Sequence, residues 1–178
     1  CGDVPLLTKE TISNVMKVYQ QNKTGVAILT ALVDNPFGYG RIIRNQNGDV
    51  IRIVEEMDAV KQEKKIKEIN AGIYWFESRL LFTLIDKLKA DNKQGEFYLT
   101  DIVEMSNESG SIVKALIAED SQEVIGINTR IDLAQAEKNI RQRILNKLML
   151  EGVTIIDPES TFIDETVKIG RDTIIYPN

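Results

Sequence analysis

The architecture of this chain follows from the stretch Gly-Val-Ala-Ile-Leu-Thr-Ala-Leu-Val, residues 25–33. A run this continuously apolar is typical of a strand buried on both faces, as in a parallel sheet with helices on each side. The residues before it predict an amphipathic helix that begins near Thr8. Its apolar face, spaced i, i+3, i+4 and i+7, consists of Ile12, Val15, Met16 and Tyr19. A helix followed by a buried strand is the alternation of α/β proteins.

The chain up to residue 150 continues this pattern. Strands are predicted at residues 41–44 and 50–55 around an Asn-Gly turn, and at 69–76, 112–118 and 123–127. Helices are predicted around residues 80–88 and 99–105 and over 131–150, where Gly152 follows as a stop. The charged run 61–68 predicts a solvated surface segment.

The composition changes after Gly152, where apolar residues recur every six positions at Ile163, Ile169 and Ile175. A six-residue period with glycine nearby is typical of a left-handed parallel β-helix. We therefore expect residues 152–178 to begin such a β-helix, after the α/β part and the long helix.

Composition excludes several functional classes. The chain has 22 Lys and Arg against 27 Asp and Glu, a net charge of −5, which disfavours tight nucleic-acid binding. It has no histidine, which removes histidine bases and most zinc enzyme sites. Its single cysteine, Cys1, excludes an internal disulfide, and no apolar run reaches the roughly 18 residues of a membrane helix. We expect a cytoplasmic protein without a membrane partner, and a chain that is a piece of a longer one.

Polar residues recur where predicted strands end, and five of them are candidates for a binding site: Asp3, Gly40, Glu55, Asn70 and Asn128. An aspartate at a strand end is a hard oxygen ligand for Mg²⁺, and a Gly-Tyr-Gly turn lets backbone N–H groups approach a ligand. A glutamate accepts two hydrogen bonds from neighbouring sugar hydroxyls, and a buried asparagine needs partners.

Each of these residues also has a purely structural explanation. Asp3 can cap a turn, Gly40 can serve a tight turn, and Glu55 can be surface charge. Asn70 can belong to a structural network, and Asn128 can cap the following helix. Together, however, the five predict a polar cleft for a hydroxylated, phosphorylated ligand and a divalent cation.

Six segments in chain order carry a family resemblance. They are Gly-Asp-Val-Pro-Leu-Leu (2–7), Asn-Pro-Phe-Gly-Tyr-Gly-Arg-Ile (35–42), Ile-Val-Glu-Glu-Met-Asp-Ala (53–59), Glu-Ile-Asn-Ala-Gly-Ile-Tyr (68–74), Gln-Gly-Glu-Phe-Tyr-Leu-Thr-Asp (94–101) and Gly-Ile-Asn-Thr-Arg (126–130). With them the chain resembles the bacterial bifunctional N-acetylglucosamine-1-phosphate uridyltransferase / glucosamine-1-phosphate acetyltransferase family.

The resemblance implies a fold and a domain division. Residues 1–130 would be the C-terminal half of the uridyltransferase domain, a partial Rossmann-like nucleotidyltransferase sheet with helices on both faces. Residues 131–151 would be the linker helix, and residues 152–178 the start of the acetyltransferase left-handed β-helix.

The resemblance also assigns site residues. Asp3 and Asn128 would hold Mg²⁺, with Asn128 also near the substrate phosphates. The Gly40 backbone, Glu55 and Asn70 would bind the N-acetylglucosamine moiety. Secondary candidates for the same sugar pocket are Tyr98 and Thr100.

The implied reaction is Mg²⁺-assisted transfer of a uridylyl group from UTP to N-acetylglucosamine-1-phosphate, giving UDP-N-acetylglucosamine and pyrophosphate for cell-wall synthesis. It needs no side-chain nucleophile or base, which agrees with the missing histidine. The parent protein would also acetylate glucosamine-1-phosphate with acetyl-CoA and would form a homotrimer through its β-helix. This chain alone would be inactive, because the family's nucleotide-binding loop would precede Cys1. Two alternatives stay open: another sugar-1-phosphate nucleotidyltransferase, and a non-catalytic nucleotide-sugar-binding or assembly module.

Overall fold

A computed structural model describes residues 2–22 and 24–177, which form two compact units. Residues 7–125 make the sheet unit, and residues 2–6 with 126–177 make the helix unit. Cys1 lies outside the described residues. The domain boundaries drawn from the sequence, after residues 130 and 151, stay a prediction.

The sheet unit contains a five-stranded sheet with three α-helices. Its strands are β1 (Val26–Leu32), β2 (Arg41–Arg44), β3 (Val50–Val54), β4 (Glu68–Phe76) and β5 (Val113–Ile117). Its helices are α1 (Lys9–Asn22), α2 (Ser78–Ile85) and α3 (Asp101–Glu108), with short 3₁₀ turns at Glu63–Lys65 and Ser121–Val124. The strand order is β3-β2-β4-β1-β5, which confirms the predicted α/β class.

Strand β1 is buried on both faces, as its apolar run predicts. Ala27, Leu29 and Ala31 join the core that contains Val15 of α1. Val26 and Ile28 join a second core that contains Val103 of α3. The sheet is mixed rather than parallel, however, because β1 pairs parallel with β5 and antiparallel with β4. A strand between two helical layers is apolar throughout whichever way its neighbours run.

An irregularity between β1 and β4 shapes the middle of the sheet. Thr30 pairs with Asn70 and Leu29 with Ile73, so two residues of β4 lie opposite no partner. One of them, Gly72, has a φ of 70°, a conformation that glycine adopts without strain. Such an interruption changes the direction of the side chains next to it, and Asn70 is the residue beside this one.

Three predictions about this unit were wrong in detail. Residues 123–127 do not form a strand; the Asp120 carboxylate accepts a hydrogen bond from the Gln122 N–H and starts a 3₁₀ turn instead. The second helix ends at Ile85, before Leu88. Glu68, the last residue of the charged run, is buried, because it accepts hydrogen bonds from Arg44 and from the Thr30 hydroxyl.

The helix unit is built on α4 (Arg130–Leu150), with a short parallel pair formed by β6 (Thr154–Ile155) and β7 (Ile174–Ile175). Its apolar cluster centres on Leu145, Leu148, Val153 and Ile155, against which Ile163, Ile169 and Ile175 pack. The six-residue apolar positions therefore share one core, and the left-handed β-helix itself stays a prediction. Among the described residues, no helix combines the length and the apolar character needed to cross a membrane.

Candidate functional site

Gly40 and Glu55 meet at one edge of the sheet. Strands β2 and β3 are antiparallel, and Arg41 pairs with Val54, so the residue before β2 lies beside the residue after β3. A Cβ atom built on Gly40 would lie 3.2 Å from both carboxylate oxygens of Glu55 and 3.0 Å from Ile53 Cγ2. Only glycine leaves this carboxylate its present position.

Asn70 is joined to the same place through the backbone. Its N–H donates to the Gly40 carbonyl at 2.9 Å, and its side-chain oxygen accepts from the Gly72 N–H at 3.0 Å. The Tyr74 hydroxyl lies near the Asn70 side chain, and burial raises the pKa of that hydroxyl. Asn70 lies within β4 rather than at a strand end, so the interrupted pairing, not a strand end, brings it here.

Thr100 completes the group around Glu55. Its hydroxyl donates to Glu55 Oε1 at 3.1 Å, although the residue precedes α3 and could have capped that helix. Burial raises the pKa of the Glu55 carboxyl, and the nearby charges of Asp101 and Asp58 raise it further. The hydrogen bond from Thr100 and the positive charge of Arg41 oppose that rise. We call Gly40, Glu55, Asn70, Tyr74 and Thr100 the Glu55 cluster.

Tyr98 lies in the loop that leads to Thr100. Its hydroxyl donates to Gln94 Oε1 at 2.6 Å, and burial, with the charges of Asp58 and Glu55 nearby, raises its pKa. The loop is fastened to the turn after β3 by Lys93, whose N–H donates to Asp58 Oδ1 at 3.0 Å and whose ammonium donates to the Met57 carbonyl at 2.6 Å. The loop therefore holds Tyr98 beside the Glu55 cluster.

Sequence reasoning missed Tyr74 and Asp58. Tyr74 is four residues after Asn70, a spacing that places both on one face of a strand, so alternation could have revealed it. Asp58 follows Glu55 in a turn, and only the folded structure shows that it anchors a loop 35 residues away.

Asp3 and Asn128 lie together in the helix unit. The Ile127 N–H donates to the Asp3 carbonyl at 2.8 Å, and a Cβ atom on Gly126 would lie 3.9 Å from that carbonyl and 4.0 Å from Asn128 Nδ2. Both side chains are exposed. Asn128 follows a 3₁₀ turn rather than the predicted strand, and its alternative role as a helix cap is wrong because Thr129 caps α4.

The Asp3–Asn128 pair offers one carboxylate and one amide oxygen, the hard donors that Mg²⁺ prefers. Within residues 2–22 and 24–177, no group of three acidic, cysteine or histidine side chains is arranged to hold a metal. Two protein donors suit Mg²⁺ nevertheless, because it commonly keeps waters and substrate phosphates as its other ligands. The residues present therefore fit that ion.

Comparisons with known proteins agree with the fold. The family model described as nucleotidyl transferase matches residues 4–148. The bifunctional protein GlmU of Fervidobacterium nodosum is 56% identical over 99% of this chain and 38% of its own length. The bifunctional protein GlmU of a Geobacillus species, strain WCH70, is 49% identical over 99% of this chain and 39% of its own. This chain thus spans about two fifths of the length of these relatives.

One solved structure shares the architecture. It is a putative glucose-1-phosphate thymidylyltransferase from Bacillus anthracis in complex with a sucrose. It covers 71% of this chain and 47% of its own, with a TM-score of 0.52 and 25% identity.

Proposed function

This chain belongs to the nucleotidyl transferase family, and on that premise we propose that it forms the sugar-binding part of a uridyltransferase. The reaction would join N-acetylglucosamine-1-phosphate to the uridylyl group of UTP, giving UDP-N-acetylglucosamine and pyrophosphate. The observation that carries the proposal is that Gly40 and Thr100 meet at the carboxylate of Glu55, with Asn70 hydrogen-bonded to the Gly40 carbonyl.

The Glu55 carboxylate supports the sugar assignment. A carboxylate has about four acceptor positions, of which the structure fills one on Oε1 with the Thr100 hydroxyl. Vicinal sugar hydroxyls can donate to the remaining positions in charge-assisted hydrogen bonds. Because burial raises the pKa of Glu55, donors from a ligand would replace lost hydration and stabilise the anion.

The chemistry would consist of positioning rather than covalent catalysis. An oxygen of the sugar phosphate forms a bond to the α-phosphorus of UTP, and the bond from that phosphorus to the bridging oxygen breaks, so pyrophosphate leaves. When bound, Mg²⁺ supplies neutralisation of phosphate charge, and Asp3 and Asn128 would hold it. In the sheet unit, the Glu55 cluster would fix the sugar and therefore the orientation of its phosphate.

The proposal includes further properties of the whole protein. Acetylation of glucosamine-1-phosphate with acetyl-CoA and a homotrimer formed through a β-helix are supported by the six-residue apolar period in the helix unit. The name of the relatives, bifunctional protein GlmU, supports a second activity. A cytoplasmic location fits a sequence with a single cysteine.

Calorimetric titration of the purified 178-residue chain with N-acetylglucosamine-1-phosphate tests the sugar site. We expect saturable binding that weakens about tenfold or more in Glu55→Gln, since a charge-assisted acceptor is lost. Glu108→Gln, an exposed glutamate of α3, is the matched control and should bind like the wild type. Equal binding by Glu55→Gln would reject the assignment.

A second candidate is a nucleotidyltransferase for another sugar phosphate, favoured by the structural match to a thymidylyltransferase. Titrations with glucose-1-phosphate and mannose-1-phosphate separate the two. The proposed function predicts that N-acetylglucosamine-1-phosphate binds most tightly. A stronger response to either of the others would select the second candidate.

A further inference from the structure

Among the described residues, three arginines of the sheet form ion pairs with glutamates, and one of these pairs, Arg41–Glu56, adjoins the Glu55 cluster. Arg41 directly follows Gly40, its side chain is 1% exposed, and it donates to Glu56 Oε2 at 2.5 Å. Arg44 donates to both carboxylate oxygens of Glu68 at 2.6 and 2.7 Å and is 29% exposed. The pairs share their chemistry and differ in what else they hold.

The Arg41–Glu56 pair holds the turn before Gly40. The second arm of the Arg41 guanidinium donates to the Tyr39 carbonyl, and Glu56 Oε2 accepts the Gly38 N–H at 3.2 Å. The other oxygen of Glu56 lies 3.0 Å from the ammonium of Lys64. Both residues that lead into Gly40 are thus fixed by one ion pair, whose arginine is buried.

Such a pair is an expensive way to stabilise a fold. Burying the charge of Arg41 costs desolvation energy, which its attraction to the partly buried Glu56 must repay. Arg41 also has a buried Nε atom for which the structure shows no hydrogen-bond partner, a further cost. Well-packed apolar residues would stabilise this edge at least as well, so the geometry that the pair imposes is its distinctive property.

We propose that Arg41 and Glu56 are positioning residues that fix the Gly38–Gly40 backbone against the Glu55 carboxylate and so set the shape of the sugar pocket. This inference rests on the proposed function, since a positioning role presupposes a sugar at Glu55. A displaced turn would move Gly40. Because a Cβ atom built on Gly40 would lie 3.2 Å from both oxygens of Glu55, this movement would change the space around the carboxylate.

Arg41 has a second, electrostatic effect on Glu55. Among the described residues, the groups that interact electrostatically with Glu55 are Asp58, Tyr74, Tyr98, Asp101 and Arg41. Arg41 is the one cation among them, and it opposes the rise in the pKa of Glu55. Removing its charge should therefore shift the pH dependence of sugar binding upward, whereas loss of packing alone would not.

The experiment measures the dissociation constant of N-acetylglucosamine-1-phosphate and the melting temperature of the 178-residue chain. Glu56→Gln is compared with Glu68→Gln, the same isosteric change in the Arg44–Glu68 pair. We expect about tenfold weaker binding in Glu56→Gln and less than about twofold in Glu68→Gln, as only the first alters the pocket.

The pH dependence supplies an independent readout. In Arg41→Gln the midpoint of the pH profile of binding should move to higher pH. In Arg41→Lys the midpoint should stay near that of the wild type while the affinity falls, because lysine keeps the charge but lacks the forked guanidinium donors. If Arg41→Gln fails to fold, the comparison of sugar-phosphate affinity between Glu56→Gln and Glu68→Gln tests the positioning role alone.

The outcomes separate two failures. A wild-type chain that binds no sugar phosphate overturns the proposed function and this inference with it. A wild type that binds, together with equal affinities in Glu56→Gln and Glu68→Gln, overturns the positioning role and leaves the proposed function standing.

Discussion

The Glu55 cluster and the Asp3–Asn128 pair are built in opposite ways. Glu55 lies against the backbone of Gly40, accepts from Thr100 and is partly buried. Asp3 and Asn128 are exposed, and a backbone hydrogen bond from the Ile127 N–H to the Asp3 carbonyl joins their two segments. The proposed sugar site is therefore organised without a ligand, whereas the proposed metal site offers donors that phosphates and water would complete.

The largest expected effect comes from Gly40→Ala. The added Cβ would lie 3.2 Å from both Glu55 oxygens and 3.0 Å from Ile53, so Glu55 must move. We expect sugar-phosphate binding to weaken by about tenfold or more in calorimetry, since the carboxylate must shift by a few tenths of an ångström.

Gly170→Ala is the control for this substitution. Nothing lies within 4 Å of its added Cβ, and its backbone is not left-handed, so binding should be unchanged. If Gly40→Ala binds within twofold of the wild type, the cluster is not organised around Glu55.

Thr100→Val should have the next largest effect. It keeps the shape of the side chain and removes the hydroxyl that donates to Glu55 Oε1. We expect about fivefold to tenfold weaker binding, and a loss of about 1 kcal/mol in unfolding free energy measured with urea.

Thr83→Val removes a hydroxyl that donates to the Arg79 carbonyl on the exposed face of α2, and should leave binding intact. Comparable weakening in both variants would show that Thr100 acts through general stability and not through Glu55.

Features of the fold and of the candidate site can be predicted from the sequence when they depend on residues close together along the chain. The apolar run of β1 reports burial on both faces by itself, and Gly40, Glu55 and Asn70 stand out as polar or glycine residues near apolar strands. The Arg41–Glu56 pair is not visible, because it joins residues through the register of β2 and β3. Residues 123–127 read as a strand because local apolar content cannot reveal the turn that Asp120 begins.

A smaller effect, on the unfolding free energy, is expected at low pH. The ammonium of Lys64 and the guanidinium of Arg41 lower the pKa of Glu56 from 4.5 to about 2. Because the pKa of Glu56 is lowered in the folded state, its ionisation stabilises that state at pH values above the ordinary pKa. That contribution is lost as the pH falls through about 2.

We therefore expect the unfolding free energy of the wild type to decline between pH 4.5 and about 2, with a shallower decline in Glu56→Gln. Urea titrations at a series of pH values measure this. Identical slopes in the two proteins would contradict the ion pair.

The smallest effect on the fold is expected at the Asp3–Asn128 pair. Both side chains are exposed, so Asp3→Asn should change the melting temperature by less than about 1 °C. It should instead remove any strengthening of UDP-N-acetylglucosamine binding by Mg²⁺, whereas Asp91→Asn, another exposed aspartate, should retain it. A response to Mg²⁺ that survives in Asp3→Asn would remove Asp3 as a ligand.

The most direct test of the central claim, that Glu55 receives the sugar hydroxyls, is an NMR titration of its carboxyl carbon with and without N-acetylglucosamine-1-phosphate. The free chain should show a pKa above the ordinary value because the carboxyl is buried. Bound sugar should lower that pKa, since hydroxyl donors stabilise the anion. A Glu55 pKa that is unchanged at saturating ligand would contradict the account.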